Sequence, residues 1–317
     1  MKKSALLALV LALLLLAACT VPAAPAPSAT PLPSPEEEAV LQPTPAPTPD
    51  TAPKYSFAEY PMVDGSTANL PLMAAVLSRV TGMELADAEA HTACSTTPYA
   101  YENLVNGTAD LLLVYEGAEE TKEMIEKSGV SLDFYPIGMD ALVFIANESN
   151  RVNGLTVSQL IDIYTGKITN WKAVGGADSE IAAFQRSSDS GSQALFIKLL
   201  MKGKTPMQAP TEFFPTEMGA LIEALAEYNG AGNAIGYSVY YYANYMYAKP
   251  GLKFLAVNGI LPSDETIASG KYPFVNAFYA VVRSDEPEDS PARSIANWLT
   301  TPQGKELIRA AGYVPTP

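Results

Sequence analysis

Phe184-Gln185-Arg186-Ser187-Ser188-Asp189-Ser190-Gly191-Ser192-Gln193 is the stretch on which the reading of this chain turns. Ile181 to Phe184, just before Gln185, has the character of a buried strand end. Ala194-Leu195-Phe196-Ile197-Lys198-Leu199-Leu200-Met201, just after it, reads as a helix that stops near Gly203. Between them stand one arginine, four serines and a glycine. A helix start with free backbone N–H groups, small hydroxyls and a neighbouring guanidinium supplies the donors and the bidentate positive charge that an oxyanion needs. A plain serine N-cap beside a surface arginine carries the same letters, so the decision rests with the rest of the chain.

Two other places repeat this chemistry. Ser66-Thr67 follows Asp64-Gly65 and precedes a helical period over Pro71 to Val80, closed by Gly82. Thr97-Pro98 opens another helix, with the hydroxyl expected at the N-cap and proline at the first helical position. In open α/β sheets, ligands bind at the carboxyl ends of strands, where helices begin. Three hydroxyl-bearing helix starts converging beside Arg186 make one anion site a specific expectation.

The surrounding pattern alternates short apolar runs with helical periods, which predicts an α/β fold. Strands are expected at Tyr60-Pro61-Met62-Val63, Asp110 to Tyr115, Phe134 to Ile137, Ala141 to Ala146, Ala234 to Tyr237, Phe254 to Val257 and Phe278 to Val282. Helices are expected over Glu119–Ser128 and Met218–Tyr228, after the Thr156–Gln159 capping box, and near the end over Arg293–Leu299 and Gly304–Ala311. The tyrosines at 240, 241, 242, 245 and 247 read as packing and cleft wall.

With 317 residues the chain is long enough for one or two domains with a sizeable core. Its formal net charge of -14 argues against nucleic acid as a partner. It leaves a small anion open, because a buried anion is held by local hydrogen bonds. Lys2-Lys3, the apolar run Ala5 to Leu16, and Leu16-Ala17-Ala18-Cys19 resemble a bacterial lipoprotein signal, with Cys19 as the lipidated residue. An uncleaved anchor is the alternative, and both place the body outside the cytoplasm. Residues 20–54, rich in Pro, Ala and Thr, are expected to form an extended tether.

Cys94 is then the single remaining cysteine, so no intramolecular disulfide and no cysteine zinc site is expected, and Cys94 reads as a small buried hydrophobe. His91 is the single histidine and reads as a surface or loop residue. There is no G-x-S-x-G elbow, and Ser190 has no nearby base apart from Asp189, so hydrolysis is not expected. No metal site and no cofactor is expected either.

Gly65-Ser66-Thr67-Ala68 followed by Pro71, together with Arg186-x-x-x-Ser190-Gly191-Ser192, resembles the two ligand loops of the phosphate ABC transporter substrate-binding proteins, the PstS-type periplasmic binding proteins. Asp140-Ala141-Leu142-Val143-Phe144, Leu155 through Trp171, Ala234-Ile235-Gly236-Tyr237, Asn258-Gly259-Ile260, Tyr272-Pro273 and Gly312-Tyr313-Val314-Pro315 are similar too, in order over residues 58–315. The resemblance implies a two-lobed fold of type II with two mixed sheets, helices on their flanks and two hinge crossings. Residues 55–140 with 238–317 would form one lobe and 141–237 the other.

It also implies a non-enzymatic receptor that is lipid-anchored on the extracytoplasmic face of the membrane. The receptor would be a monomer that captures inorganic phosphate and delivers it to ABC permease subunits. Ser66, Thr67 and Thr97 would bind from the first lobe, and Arg186, Ser190, Gly191 and Ser192 from the second.

One departure bears on the ligand. The family places an aspartate shortly after the Asp110 strand to accept the proton of hydrogen phosphate; here Tyr115 stands at that position and Glu116 follows. Glu116 is a substitute acceptor only if the chain bends, since strand alternation turns it to the other face. Another oxyanion, or a small anionic metabolite, is therefore an alternative ligand. A sensory or interaction lipoprotein uncoupled from transport is an alternative role.

Overall fold

The computed structural model describes residues 50–188, 190–209, 218–228 and 231–317. The export signal with Cys19, the tether up to residue 49, and Asp189 lie outside the described residues. Residues 50–54, read from composition as the end of the tether, lie against the body. Ala52 is buried, Thr51 N donates to Gln303 Oε1 at 2.7 Å, and Arg79 pairs with Asp50 at 2.6 Å.

The strands are β1 (Val63–Gly65), β2 (Leu111–Tyr115), β3 (Leu132–Asn147), β4 (Gly154–Leu155), β5 (Ala182–Ala183), β6 (Ala234–Val239), β7 (Leu252–Phe254), β8 (Ala256–Val257), β9 (Val275–Arg283) and β10 (Val314–Pro315). They run in the order β1-β2-β9-β3-β6-β5, with β7 and β10 also on β3, while β4 and β8 form a separate parallel pair. Parallel pairs (β1 with β2, β5 with β6) and antiparallel pairs (β2 with β9, β3 with β9 and β6) occur together, so the sheet is mixed. This agrees with the expected α/β class.

The long strand β3 organises the rest. Leu132 to Ala141 pair with β9, and Leu142 to Ala146 pair with β6. The partner thus changes between Ala141 and Leu142, dividing the sheet into a first half (β1, β2, β9) and a second half (β6, β5). The sequence pattern separates this strand into two, Phe134 to Ile137 and Ala141 to Ala146, with Gly138-Met139-Asp140 between them. Proline lacks the N–H a ladder needs and is tolerated at bulges, and the register of β3 shifts between Pro136 and Gly138. Gly138 is required for a second reason: a Cβ on it would stand 2.0 Å from the Phe278 ring.

Helices α1 (Leu70–Thr81), α2 (Leu85–Ala90), α3 (Thr97–Asn106) and α4 (Glu119–Ser128) accompany the first strands. Helices α5 (Val157–Tyr164), α6 (Gly191–Leu195) and α7 (Met218–Glu227) accompany the second half, and α8 (Asp264–Ala268), α9 (Pro291–Leu299) and α10 (Pro302–Ala310) follow. Two of these show how the sequence fixes local structure. α4 begins with Glu119-Glu120 and carries Lys127 in its last turn, before a left-handed Gly129, so its charges complement the helix dipole at both ends. α5 has its full capping box, with Thr156 and Gln159 exchanging hydrogen bonds.

The helix expected over Ala194–Met201 is present but begins at Gly191 and widens to a π-helix over Phe196–Met201. The widening accompanies a stack of Phe196 on Tyr237 of β6, with ring centroids 4.4 Å apart and planes 5° apart. That stack ties the π-helix to β6 in the second half. The first strand is shifted relative to the expected Tyr60–Val63: Asp64 and Gly65, beyond its end, are inside β1, where they pair with Leu112 and Leu113.

Cys94 is half-buried rather than buried, with its Sγ 3.8 Å from Thr67 Oγ1. His91 is exposed, as read, and packs edge-on to Phe57. Among the described residues no helix is long and apolar enough to cross a membrane.

Candidate anion-binding site

The strand ends set the position of the site. β1 ends at Gly65, β2 at Tyr115 and β5 at Ala183, and the residues that follow β1 and β5 carry Ser66 and Arg186. A cavity of about 540 Å³ lies there, lined by Ser66, Thr67, Thr97, Tyr115, Arg186, Ser190, Gly191 and Ser192. The structure therefore brings together eight of the nine residues singled out in the sequence.

Glu116 is the exception. Its carboxylate faces a separate cavity and pairs with Lys122 at 2.9 Å and with Lys198. Burial alone would raise its carboxyl, but the two ammonium groups overcome this and hold it below the usual carboxylate range. Tyr115 and Glu116 diverge as strand alternation requires, so no bend brings Glu116 to the cavity.

In the first half the hydroxyls form a chain. Ser66 Oγ lies 2.8 Å from Thr97 Oγ1 and accepts a hydrogen bond from Tyr115 N at 3.2 Å. Thr97 is not the N-cap expected from the sequence. Thr96 takes that position with φ of 72° and ψ of 165°, and Thr97 is the first helical residue. Proline is thereby one position further into the helix than the usual rule places it, and the Thr97 hydroxyl is left to meet Ser66.

Asp64 braces this arrangement. Its Oδ1 accepts from Gly65 N and Ser95 N, both at 2.7 Å, and its Oδ2 accepts from Asn103 Nδ2 at 2.8 Å. Sequence reasoning passed over Asp64 and Asn103, since nothing in their local sequence separates a buried brace from a turn residue.

In the second half, Arg186 is 5 % exposed, and its backbone N donates to Tyr237 Oη at 3.1 Å and Gln193 Oε1 at 3.3 Å. Tyr237 and Gln193 are themselves hydrogen-bonded, so β6 and α6 together fix the arginine loop. Ser190 is a true N-cap: its Oγ accepts from Gln193 N at 3.4 Å and lies 3.0 Å from Ser192 Oγ. The two halves meet closely, since a Cβ on Gly191 would stand 3.0 Å from Thr97 Oγ1.

Tyr115 completes the floor. Its hydroxyl donates to Asp140 Oδ2 at 2.6 Å. Asp140 Oδ1 accepts from Ala141 N at 2.7 Å and from Tyr241 N at 3.1 Å. Burial pushes the Asp140 carboxyl up to about 6 in spite of these bonds, and burial with the neighbouring carboxylate raises the Tyr115 phenol well above its ordinary value. The remaining wall includes Met218, Glu223, Tyr242 and Tyr247. Tyr242 and Tyr247 are the two of the tyrosine run that serve as cleft wall, while Tyr245 is exposed. A buried guanidinium with hydroxyls converging on it from both halves suits a small, tetrahedral, hydrogen-bonding anion. Among the described residues no group of three or more histidine, cysteine or acidic side chains is arranged to hold a metal ion.

The family described as the PBP superfamily domain matches residues 50–303, and the chain belongs to that superfamily. Among curated proteins it is 29% identical over 198 residues to the phosphate-binding protein PstS of Borreliella burgdorferi, covering 61% of this chain and 68% of that protein. It is 25% identical over 254 residues to the phosphate-binding protein PstS of Bacillus subtilis, covering 80% and 79%. Among solved structures, an ABC-type phosphate transport receptor from Vibrio cholerae superposes with a TM-score of 0.58 at 24% identity, covering 80% of this chain and 98% of that one. A phosphate-binding protein from Stenotrophomonas maltophilia has a TM-score of 0.59 at 14% identity, covering 82% and 91%. At these identities the structural likeness establishes the shared fold.

Proposed function

We propose that this chain is the substrate-binding protein of a phosphate ABC transporter. It captures inorganic phosphate between two lobes and hands it to the permease subunits, without catalysing a reaction. The observation that carries this reading is the meeting of Ser66 and Thr97 from one half with Arg186 and Ser190–Ser192 from the other around a single cavity. The names of the PstS relatives support phosphate as the anion. The lobes are residues 55–140 with 238–317, and 141–237; β7 and β8 of the first group hydrogen-bond to β3 and β4 at the second group's edge. The protein acts as a monomer on the extracytoplasmic face, held by lipid on Cys19.

Isothermal titration calorimetry with inorganic phosphate tests the reading. Arg186→Ala should weaken binding by about 2–5 kcal/mol, the range for removing one partner of a buried charged pair. Unchanged affinity in that variant would remove Arg186 from the site, and absence of phosphate binding in the parent would reject the function.

A second ligand reading rests on Tyr115. The phenol stands where the family places a carboxylate, and its hydrogen is committed to Asp140. A carboxylate acceptor repels fully ionised sulfate, because two acceptors without a proton cannot pair. Without one, sulfate or another oxyanion competes more effectively. Titration of sulfate against bound phosphate separates the two: displacement at comparable concentrations supports the broader oxyanion reading.

A further inference from the structure

Glu116, set aside by the anion cavity, makes a contact that no part of anion recognition uses. It follows β2 in the first half, and its carboxylate pairs with Lys198, which lies on the π-helix bound to β6 in the second half. Neither residue lines the anion cavity. We propose that the Glu116–Lys198 ion pair is a latch between the two halves, which lengthens the dwell time of the bound anion without touching it. This inference rests on the anion-capture reading above.

The surroundings fit that role. Lys122, on α4 of the first half, holds Glu116 at 2.9 Å and Glu119 at 2.7 Å. Glu116 therefore keeps a partner when the halves part, and only the bond to Lys198 is lost. The carboxylate side chain is 27% exposed and that of Lys198 is 47% exposed. A pair so placed is partly screened and modest in strength, which suits a contact that must break in every cycle. Gly191 and Thr97 meet on the cavity side of the same boundary, so the latch adds a second, outer point of contact. Lys198 is thus a positioning residue, acting on the anion through the closeness of the halves.

The test compares the full chain with Lys198→Gln, Glu116→Gln, the double variant and Lys198→Arg. Phosphate dissociation is followed by rapid mixing at low ionic strength and again at about 1 M salt, where such a pair is screened. The expected result is release about two- to five-fold faster in each single glutamine variant, matching the usual worth of a partly exposed pair. The double variant should show no further acceleration, Lys198→Arg should restore the parental rate, and all differences should vanish at high salt.

Parental release in Lys198→Gln, or accelerations that multiply in the double variant, would overturn the latch. So would a fall in melting temperature of the ligand-free protein as large as that of the phosphate-bound one, since that marks a structural role. If the parent binds no phosphate, the function reading fails and the latch with it. If the parent binds phosphate and the variants release it at the parental rate, the latch alone fails.

Discussion

Tyr115 donates its hydroxyl hydrogen to Asp140 at 2.6 Å, at the place where β3 exchanges one strand partner for another. The same carboxylate accepts from Ala141 N on β3 and from Tyr241 N just beyond β6. One buried charge thus ties a residue of the cavity floor to both chain segments that pass between the halves of the sheet.

The charge is costly to bury, and this gives a pH dependence with a definite sign. Asp140 is raised from 3.8 to about 6 in the folded protein. Between these values the folded state holds more protons than the unfolded state, so stability falls as pH rises. The contribution is fully present below about pH 4 and is lost by about pH 7, with a total of about 3 kcal/mol. Asp140→Asn should flatten this part of a thermal-unfolding profile taken from pH 4 to pH 7; an unchanged slope would mean that Asp140 is not the titrating group.

Tyr115→Phe removes the phenolic donor and leaves the ring in place. The buried carboxylate then loses one of its hydrogen bonds, which should cost about 1–3 kcal/mol at neutral pH. The loss should shrink as the pH is lowered and Asp140 takes up its proton. Denaturant unfolding at pH 5 and pH 7.5 checks this, and equal losses at the two values would contradict it.

Gly191 lies against Thr97 across the boundary between the halves. An added methyl 3.0 Å from Thr97 Oγ1 requires the two helix starts to move apart by a few tenths of an ångström. Gly191→Ala should weaken phosphate binding by about 1–3 kcal/mol, the usual cost of overpacking. Calorimetry measures the affinity, and parental affinity would show that the contact is slack.

Thr96 holds φ at 72° and ψ at 165°, a region that glycine alone enters freely. It also lines the cavity. Strain of this kind costs about 1–3 kcal/mol. Thr96→Gly should therefore raise the melting temperature of the ligand-free protein, even after the entropy that glycine adds to the unfolded chain. A lowered melting temperature would mean that side-chain contacts of Thr96 outweigh the strain.

Local chemistry made much of the site legible. Ser190 is an N-cap, and Arg186 and Ser66 reach the cavity, because helix starts after strands present hydroxyls and N–H groups in predictable directions. Strand alternation likewise separated Tyr115 from Glu116. The N-cap at Thr96 was not legible, since its neighbours Ser95 and Thr97 are held by Asp64 and Ser66, 31 residues away in the chain. Nor was the role of Asp140, which depends on the arrival of Tyr115 and Tyr241 from 25 and 101 residues away.

The α/β alternation, the capping box at Thr156 and the hydroxyl-bearing helix starts near Ser66 and Ser190 were legible in the sequence, because each follows from periodicity or from contacts within a few residues, while Tyr115 was singled out by the family resemblance. Tertiary structure alone decided that β3 is one strand with two partners, that Tyr115 is spent on Asp140, and that Glu116 joins Lys198. Those are pairings between distant segments. Their partners are selected by register, burial and the need to satisfy every buried polar group, and no local pattern carries that information.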